Sequence, residues 1–108
     1  MTAYLDNSAT TPVCSEAVEA MKTAVTELWG NPSSLHQKGI EADEMLENAR
    51  SNVARRLFCR DDEVYFTSGG TESNNLAVQG AAHAMRRRGR RIVTTSVEHP
   101  SIDETVKH

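Results

Sequence analysis

The sequence predicts an α/β fold, in which helices pack on an incomplete parallel or mixed sheet. Two short runs of β-branched and aromatic residues, 63–68 and 92–96, each precede a segment with helical spacing. The order is therefore strand, helix, strand, helix, and a right-handed crossover leaves the two strands parallel. Gly69-Gly70 and His99 follow these strands, so both turns should lie at the carboxyl edge of the sheet, where open α/β sheets bind ligands.

Length and composition limit the kind of protein and its partners. At 108 residues, with 38% hydrophobic and 25% charged residues, the chain is typical of one small globular domain. Five arginines lie between positions 86 and 91, but no aromatic is interleaved and the net charge is −3, which argues against nucleic acid as a partner. No apolar run reaches membrane-spanning length and no signal peptide opens the chain, so we expect a cytoplasmic protein with no membrane partner. Cys14, Cys59 and the four histidines lack metal-ligand spacing, so no metal is predicted.

The first half of the chain predicts an arm and two helices. Residues 1–14 are rich in small polar residues that favour turns, which predicts an irregular arm. Residues 15–58 hold two amphipathic helices. The first has Ser15 as its N-cap and ends before Gly30, and the second carries an apolar stripe that begins at Leu35.

The strand over 63–68 runs into a tight turn and a third helix. Gly69 and Gly70 can adopt dihedral angles closed to other residues, and Thr71 is placed to cap the helix. Unpaired N–H groups at such a helix start would face a phosphate, although an ordinary capped turn is the alternative for a lone Gly-Gly-Thr. Gly89 is predicted as the left-handed cap at the other end of this helix.

The second strand leads to His99 and a fourth helix, with Pro100 acceptable in its first turn. An imidazole at the carboxyl edge of a sheet could stack on a flat ligand or exchange a proton. A structural role is the alternative for this histidine taken alone.

Four segments carry a resemblance to one family. Residues 4–11 (Tyr-Leu-Asp-Asn-Ser-Ala-Thr-Thr), 67–75 (Thr-Ser-Gly-Gly-Thr-Glu-Ser-Asn-Asn) and 98–101 (Glu-His-Pro-Ser) resemble, in order and spacing, the opening third of NifS/IscS-type cysteine desulfurases. Residues 30–36 resemble the connecting segment of that family. The resemblance implies a fold-type-I transferase dependent on pyridoxal 5'-phosphate (PLP), of the class-V aminotransferase group, with residues 59–108 starting its large domain.

The resemblance also implies an activity and its partners. These homodimeric enzymes convert L-cysteine to L-alanine and leave a persulfide on an enzyme cysteine, which an iron-sulfur scaffold or another sulfur-acceptor protein receives. Carried over by position, Gly70 and Thr71 bind the PLP phosphate, and His99 stacks on the cofactor ring and acts as a catalytic proton carrier. Ala9 would lie near the substrate, and the segment from Asn31 to His36 near the active-site entrance.

Several residues that this chemistry needs have no counterpart here. In the family, the PLP lysine, the acidic partner of the pyridine nitrogen and the persulfide cysteine all lie beyond position 108. Lys22, Lys38 and Lys107 match no Schiff-base motif. We therefore expect an amino-terminal fragment of a longer enzyme, inactive by itself. The alternatives are a non-catalytic fragment that self-associates or binds a phosphorylated ligand, and, among enzymes, a selenocysteine lyase or another class-V aminotransferase.

Overall fold

The computed structural model describes residues 3–107, in which the regular elements are helical. They are α1 (Ser15–Thr26), α2 (Gln37–Leu57), a short 3-10 helix (Asp61–Glu63), α3 (Gly70–Met85) and α4 (Pro100–Lys107). These residues form two compact units, one up to Val64 and one from Tyr65 onward.

Residues 3–14 of the first unit hold no helix or strand, and a turn at 7–9 is closed by a bond from the Ala9 N–H to the Asp6 carbonyl (3.1 Å). Met1 and Thr2, the first residues of the predicted arm, lie outside the described residues. The prediction of Ser15 as N-cap is wrong, because extended Cys14 is the N-cap and Ser15 is already helical. The Ser15 hydroxyl instead donates to the Glu16 carboxylate (3.1 Å).

Helix α2 also begins later than its apolar pattern predicts. Its N-cap is His36, whose Nδ1 accepts a hydrogen bond from the Gly39 N–H (3.3 Å). Leu35 precedes this cap and is 97% exposed, so it does not belong to the buried stripe. The local side-chain cap, rather than the first apolar residue, sets where the helix starts.

The loop between α1 and α2 passes very close to the first turn of α2. A Cβ at Gly30 would lie 1.9 Å from the Lys38 carbonyl oxygen, and one at Gly39 would lie 2.1 Å from the Ser34 carbonyl oxygen. Both carbonyl oxygens belong to the backbone, so they cannot move aside as the end of a flexible side chain could. Glycine is therefore required at both positions for this loop to lie where it does.

The second unit contains α3, α4, the segment 92–96 and, from Tyr65 onward, most of the segment 63–68, whose first two residues belong to the first unit. The strand predictions over 63–68 and 92–96 are not confirmed within residues 3–107, because neither segment is paired into a sheet there. Val64 is buried, but Tyr65 is 73% exposed and Val93 is 88% exposed, so neither segment is buried along its length as predicted. A strand is defined by hydrogen bonds to a neighbouring strand, and the part of the chain that is described provides none.

The end of α3 also differs from its prediction. No glycine between residues 3 and 107 lies in the left-handed region, so Gly89 is not a left-handed cap. The helix ends with Arg86 as its C-cap, and the N–H groups of Arg88 and Gly89 bond to the Met85 carbonyl (2.7 and 3.3 Å). These hydrogen bonds pair the Met85 carbonyl at the end of α3, so the helix ends without a residue in the left-handed conformation. Pro100 occupies the first turn of α4, as predicted.

Much apolar surface is exposed in both units. The chain exposes 9486 Å², whereas two separate compact folded units sharing its mass of 11.9 kDa would expose about 7,200 Å². The apolar positions of α1, namely Val18, Met21 and Val25, are all exposed. No helix within residues 3–107 has the length and apolar character needed to cross a membrane.

Candidate functional site

The N-terminus of α3 is the first part of the candidate site. The helix begins at Gly70, and its N-cap is Gly69, whose backbone is extended and whose carbonyl accepts from the Ser73 N–H (3.1 Å). The prediction of Thr71 as N-cap is therefore wrong, because Thr71 is the second residue of the helix. Neither glycine adopts a left-handed conformation, so the turn does not need the unusual dihedral angles that were predicted.

Side chains on both sides of this turn hold it in place. The Glu72 carboxylate accepts hydrogen bonds from the Ser68 N–H and the Ser68 hydroxyl, both at 2.7 Å. The Thr67 hydroxyl donates to the Gly69 carbonyl (3.1 Å) and accepts from the Ser73 hydroxyl (2.6 Å). These bonds fix the path of the chain as it enters α3.

Glu72 gives this turn a pH dependence. The hydrogen bonds from the Ser68 hydroxyl and N–H lower the pKa of Glu72 below its ordinary value of 4.5. A carboxylate with a lowered pKa stabilises the folded state above its unfolded pKa, and this stabilisation is lost as the pH falls through the folded pKa.

We therefore expect Glu72→Gln to lower the free energy of unfolding at about pH 7, with a difference from wild type that shrinks below about pH 4.5. Urea unfolding of both proteins across this range measures the difference. A difference that stays constant down to about pH 3 would show that the Glu72 charge does not hold the turn.

Hydrogen-bond donors remain available at the start of α3. Within residues 3–107, the N–H groups of Gly70, Thr71 and Glu72 and the Thr71 hydroxyl have no acceptor. Nothing lies within 4 Å of a Cβ placed on Gly70, so the helix end is open there. These donors lie at the positive end of the helix dipole, where they suit an anion with several oxygen atoms.

His99 is the second part of the candidate site, and it caps α4. Its carbonyl accepts from the N–H groups of Ile102 (2.8 Å) and Asp103 (3.2 Å). Its Nδ1 accepts from the Ser101 N–H (3.2 Å) and lies 2.8 Å from the Ser101 hydroxyl. Both Ser101 groups therefore face Nδ1, and Nε2 takes part in neither of these contacts.

A pocket of about 370 Å³ contains residues of both parts. Thr71 and His99 line it, together with side chains from α3 and α4 that include Asn75, Gln79 and Glu104. The structure thus brings two of the three predicted cofactor-binding residues into one pocket. The third, Gly70, precedes Thr71 in the chain and is not among the lining residues. A second pocket, about 470 Å³ and lined by Val78, Met85 and Ile92 among others, holds no predicted site residue.

Sequence reasoning missed two residues that support His99. Asn74 Nδ2 donates to the Ser101 hydroxyl (2.8 Å), which joins α3 to α4 beside the pocket. The partners are 27 positions apart, so no local periodicity indicates the pair. A serine two residues after a capping histidine was the available signal for the contact between Ser101 and His99.

The residues predicted near the substrate belong to the first unit. Ala9 lies in the turn of the arm, and Asn31 Oδ1 accepts from the Ser33 N–H (2.9 Å). His36 caps α2. Across residues 3–107, no group of three histidine, cysteine or acidic side chains could hold a metal ion.

The donors present fit the phosphate of PLP. Three helix N–H groups and one hydroxyl match the oxygen atoms of a phosphate ester. The Glu72 carboxylate lies in the first turn of α3 and accepts hydrogen bonds from Ser68, which precedes the helix. These hydrogen bonds fix the position of the carboxylate. The imidazole of His99 in the same pocket supplies a flat surface for an aromatic ring.

Comparisons with known proteins show what this chain is similar to. The family model described as "Aminotransferase class-V" matches residues 3–108. A "NifS/IcsS protein homolog" of Lactobacillus delbrueckii subsp. bulgaricus is 53% identical over 102 residues, which are 94% of this chain and 26% of that protein. The "Cysteine desulfurase IscS" of Dictyoglomus turgidum is 48% identical over 101 residues, again 94% of this chain and 26% of the relative.

A Mycobacterium tuberculosis relative named "IscS-like cysteine desulfurase" is 50% identical over 107 residues, covering 96% of this chain and 27% of that protein. A solved structure titled "NIFS-LIKE PROTEIN" superimposes with a TM-score of 0.88 at 42% identity, over 99% of this chain and 29% of that one. The chain thus has the fold of part of that protein. It spans about a quarter of the length of the curated relatives that it matches.

Proposed function

The chain belongs to the class-V aminotransferase family, and from that premise we propose that it is part of a PLP-dependent cysteine desulfurase. The reaction converts L-cysteine to L-alanine and leaves the sulfur as a persulfide on an enzyme cysteine outside this chain. The observation that carries the proposal is the pocket that contains both Thr71, at the open end of α3, and His99. The relatives named as cysteine desulfurases support the choice of substrate.

In this proposal the start of α3 binds the cofactor phosphate. The Thr71 hydroxyl and the N–H groups of Gly70 and Thr71 donate to phosphate oxygens, and the helix dipole favours the negative charge. The bonds between Glu72 and Ser68 keep these donors in place before the cofactor arrives. Preorganised donors bind an anion without the cost of ordering the loop.

His99 carries the proton chemistry of this part of the site. Bound PLP supplies an electron sink for the α-carbon of an amino acid. Because Nδ1 is occupied by donors from Ser101, the nitrogen of His99 that holds or delivers a proton is Nε2. An imidazole nitrogen can both accept and donate a proton, which suits a group that must do both.

The exposed segments indicate what the rest of the enzyme provides. We propose that residues 63–68 and 92–96 form strands of the large-domain sheet when further strands of the longer protein lie beside them. Their exposed apolar side chains, such as Tyr65 and Val93, support this. The lysine that holds PLP, a homodimer partner, a cytoplasmic location and a sulfur-acceptor protein belong to the same proposal.

The product formed from L-cysteine tests the function. We expect the longer protein, purified with PLP and given L-cysteine and a thiol reductant, to release alanine and sulfide in equal amounts. Selenocysteine is the comparison substrate, because a selenocysteine lyase would release alanine from it and not from cysteine. A protein that binds phosphate esters but forms alanine from neither substrate would instead be a non-catalytic binding protein.

A further inference from the structure

We propose that Ser101, held by Asn74, is a positioning residue that fixes the ring orientation and the Nε2–H tautomer of His99. The inference rests on the proposed function, in which His99 moves protons. Ser101 is 8% exposed, so its polar atoms depend on protein partners rather than on water.

The oxygen and the proton of the Ser101 hydroxyl each have a defined hydrogen-bond partner. The Asn74 amide nitrogen can only donate, so the Ser101 oxygen accepts at that contact (2.8 Å). The hydroxyl proton is then directed to His99 Nδ1, which lies 2.8 Å from the oxygen. The Ser101 N–H donates to the same nitrogen (3.2 Å), so one residue provides both donors.

These contacts disfavour a proton on Nδ1. A proton there would oppose the backbone N–H of Ser101, which cannot reverse its direction. It would also require the Ser101 oxygen to accept hydrogen bonds from both His99 and Asn74. The hydroxyl proton of Ser101 would then lose His99 Nδ1 as its acceptor. The contacts therefore leave Nε2 to carry the proton of the neutral ring.

The same chain of bonds ties His99 to the phosphate end of the pocket. Asn74 lies one helical turn after Thr71 on α3, so the helix that carries the phosphate donors also orients the histidine. The other side chains of α3 in the pocket, Asn75 and Gln79, are uncharged. Glu104 of α4 shares the pocket, and its carboxylate is paired with Lys107 (2.8 Å).

The tautomer can be measured without any activity. Imidazole nitrogen-15 NMR of the longer protein without PLP separates a protonated from an unprotonated ring nitrogen. We expect one tautomer, protonated at Nε2, in the wild type and in Ser101→Thr. In Ser101→Ala the longer backbone contact (3.2 Å) is the one Ser101 donor left to Nδ1, so we expect a measurable fraction of the Nδ1–H tautomer. Thr105→Val is the matched control, because it removes an equally buried hydroxyl of α4 that bonds to the Ser101 carbonyl and not to His99. It should keep the wild-type tautomer.

The kinetic test uses the same variants with PLP bound. We expect Ser101→Ala to lower kcat about tenfold or more, by analogy with metal-bound histidines, whose orienting partners contribute about 10- to 100-fold. The KM and the bound PLP should stay near the wild-type values, and Ser101→Thr should restore kcat.

A single Nε2–H tautomer in Ser101→Ala, or equal kcat in the alanine and threonine variants, would overturn the inference. If the protein does not act on cysteine, the proposed function fails, while the NMR measurement still decides whether Ser101 sets the tautomer.

Discussion

Replacing His99 by alanine in the longer enzyme is expected to lower kcat for L-cysteine by about a hundredfold or more, because a positioned general acid or base typically contributes that much. Bound PLP should stay close to the wild-type amount, since the donors proposed for its phosphate lie on α3. The visible absorbance of the purified protein measures the cofactor, and alanine release measures kcat.

The structural role of His99 needs its own control, because the side chain also caps α4. Loss of an N-cap costs about 1 kcal/mol of stability. His99→Asn keeps a side-chain oxygen that can cap the helix, so it should unfold near the wild-type urea concentration and remain slow. Recovery of kcat in His99→Asn would contradict a proton-transfer role for the imidazole.

His83→Ala is the matched control for removing a histidine. His83 lies on the exposed surface of α3 and contacts Arg86 (3.2 Å from Nε2). We expect this variant to keep the wild-type kcat. A similar loss in both variants would show that the effect of His99 is not specific to the pocket.

Thr71→Ala is expected to weaken PLP binding about ten- to a hundredfold. The variant loses one charge-assisted hydrogen bond, which is worth about 1.5 to 3 kcal/mol. Thr71→Ser keeps the hydroxyl and should bind PLP nearly as well as the wild type. Dissociation constants from titration of the cofactor-free protein measure the effect. Equal constants in Thr71→Ala and the wild type would exclude this hydroxyl as a phosphate ligand.

Sequence reasoning predicted the helices, and it predicted that the turn at Gly69-Gly70 and the turn at His99 lie close together. Thr71 and His99 are 28 positions apart, and the structure places both in one pocket, although the parallel sheet from which their meeting was predicted is not formed within residues 3–107. The resemblance to NifS/IscS-type enzymes is confirmed by the family match and by the relatives. These features follow from patterns spread over many residues, which a single local contact does not change.

The predicted strands and caps failed for two different physical reasons. A strand needs hydrogen-bond partners from a neighbouring strand, and within residues 3–107 the segments 63–68 and 92–96 have none. The caps depend on single contacts: extended Gly69 starts α3 without a side-chain bond, and His36 caps α2 through a ring nitrogen. Residue preferences favour serine and threonine at such positions and do not identify either case.

The contact between Asn74 and Ser101 marks a further limit of sequence reasoning. Each residue lies in a helix that the pattern predicts, but their meeting depends on how α3 and α4 pack. The way in which the side chains of two helices interdigitate decides which of their turns face each other. This depends on residues that lie far apart in the chain. The sequence therefore indicated His99 and left its supporting residues unidentified.

The claim that the start of α3 binds the cofactor phosphate is tested most directly by comparing PLP with pyridoxal, which lacks the phosphate. Both dissociation constants are measured by titration of the cofactor-free longer protein, in the wild type and in Thr71→Ala. We expect the substitution to weaken PLP binding about ten- to a hundredfold and to leave pyridoxal binding unchanged. Equal weakening of both ligands would contradict the claim, because Thr71 would then act on a part of the cofactor that pyridoxal shares. Weakening of neither would exclude the Thr71 hydroxyl as a phosphate ligand.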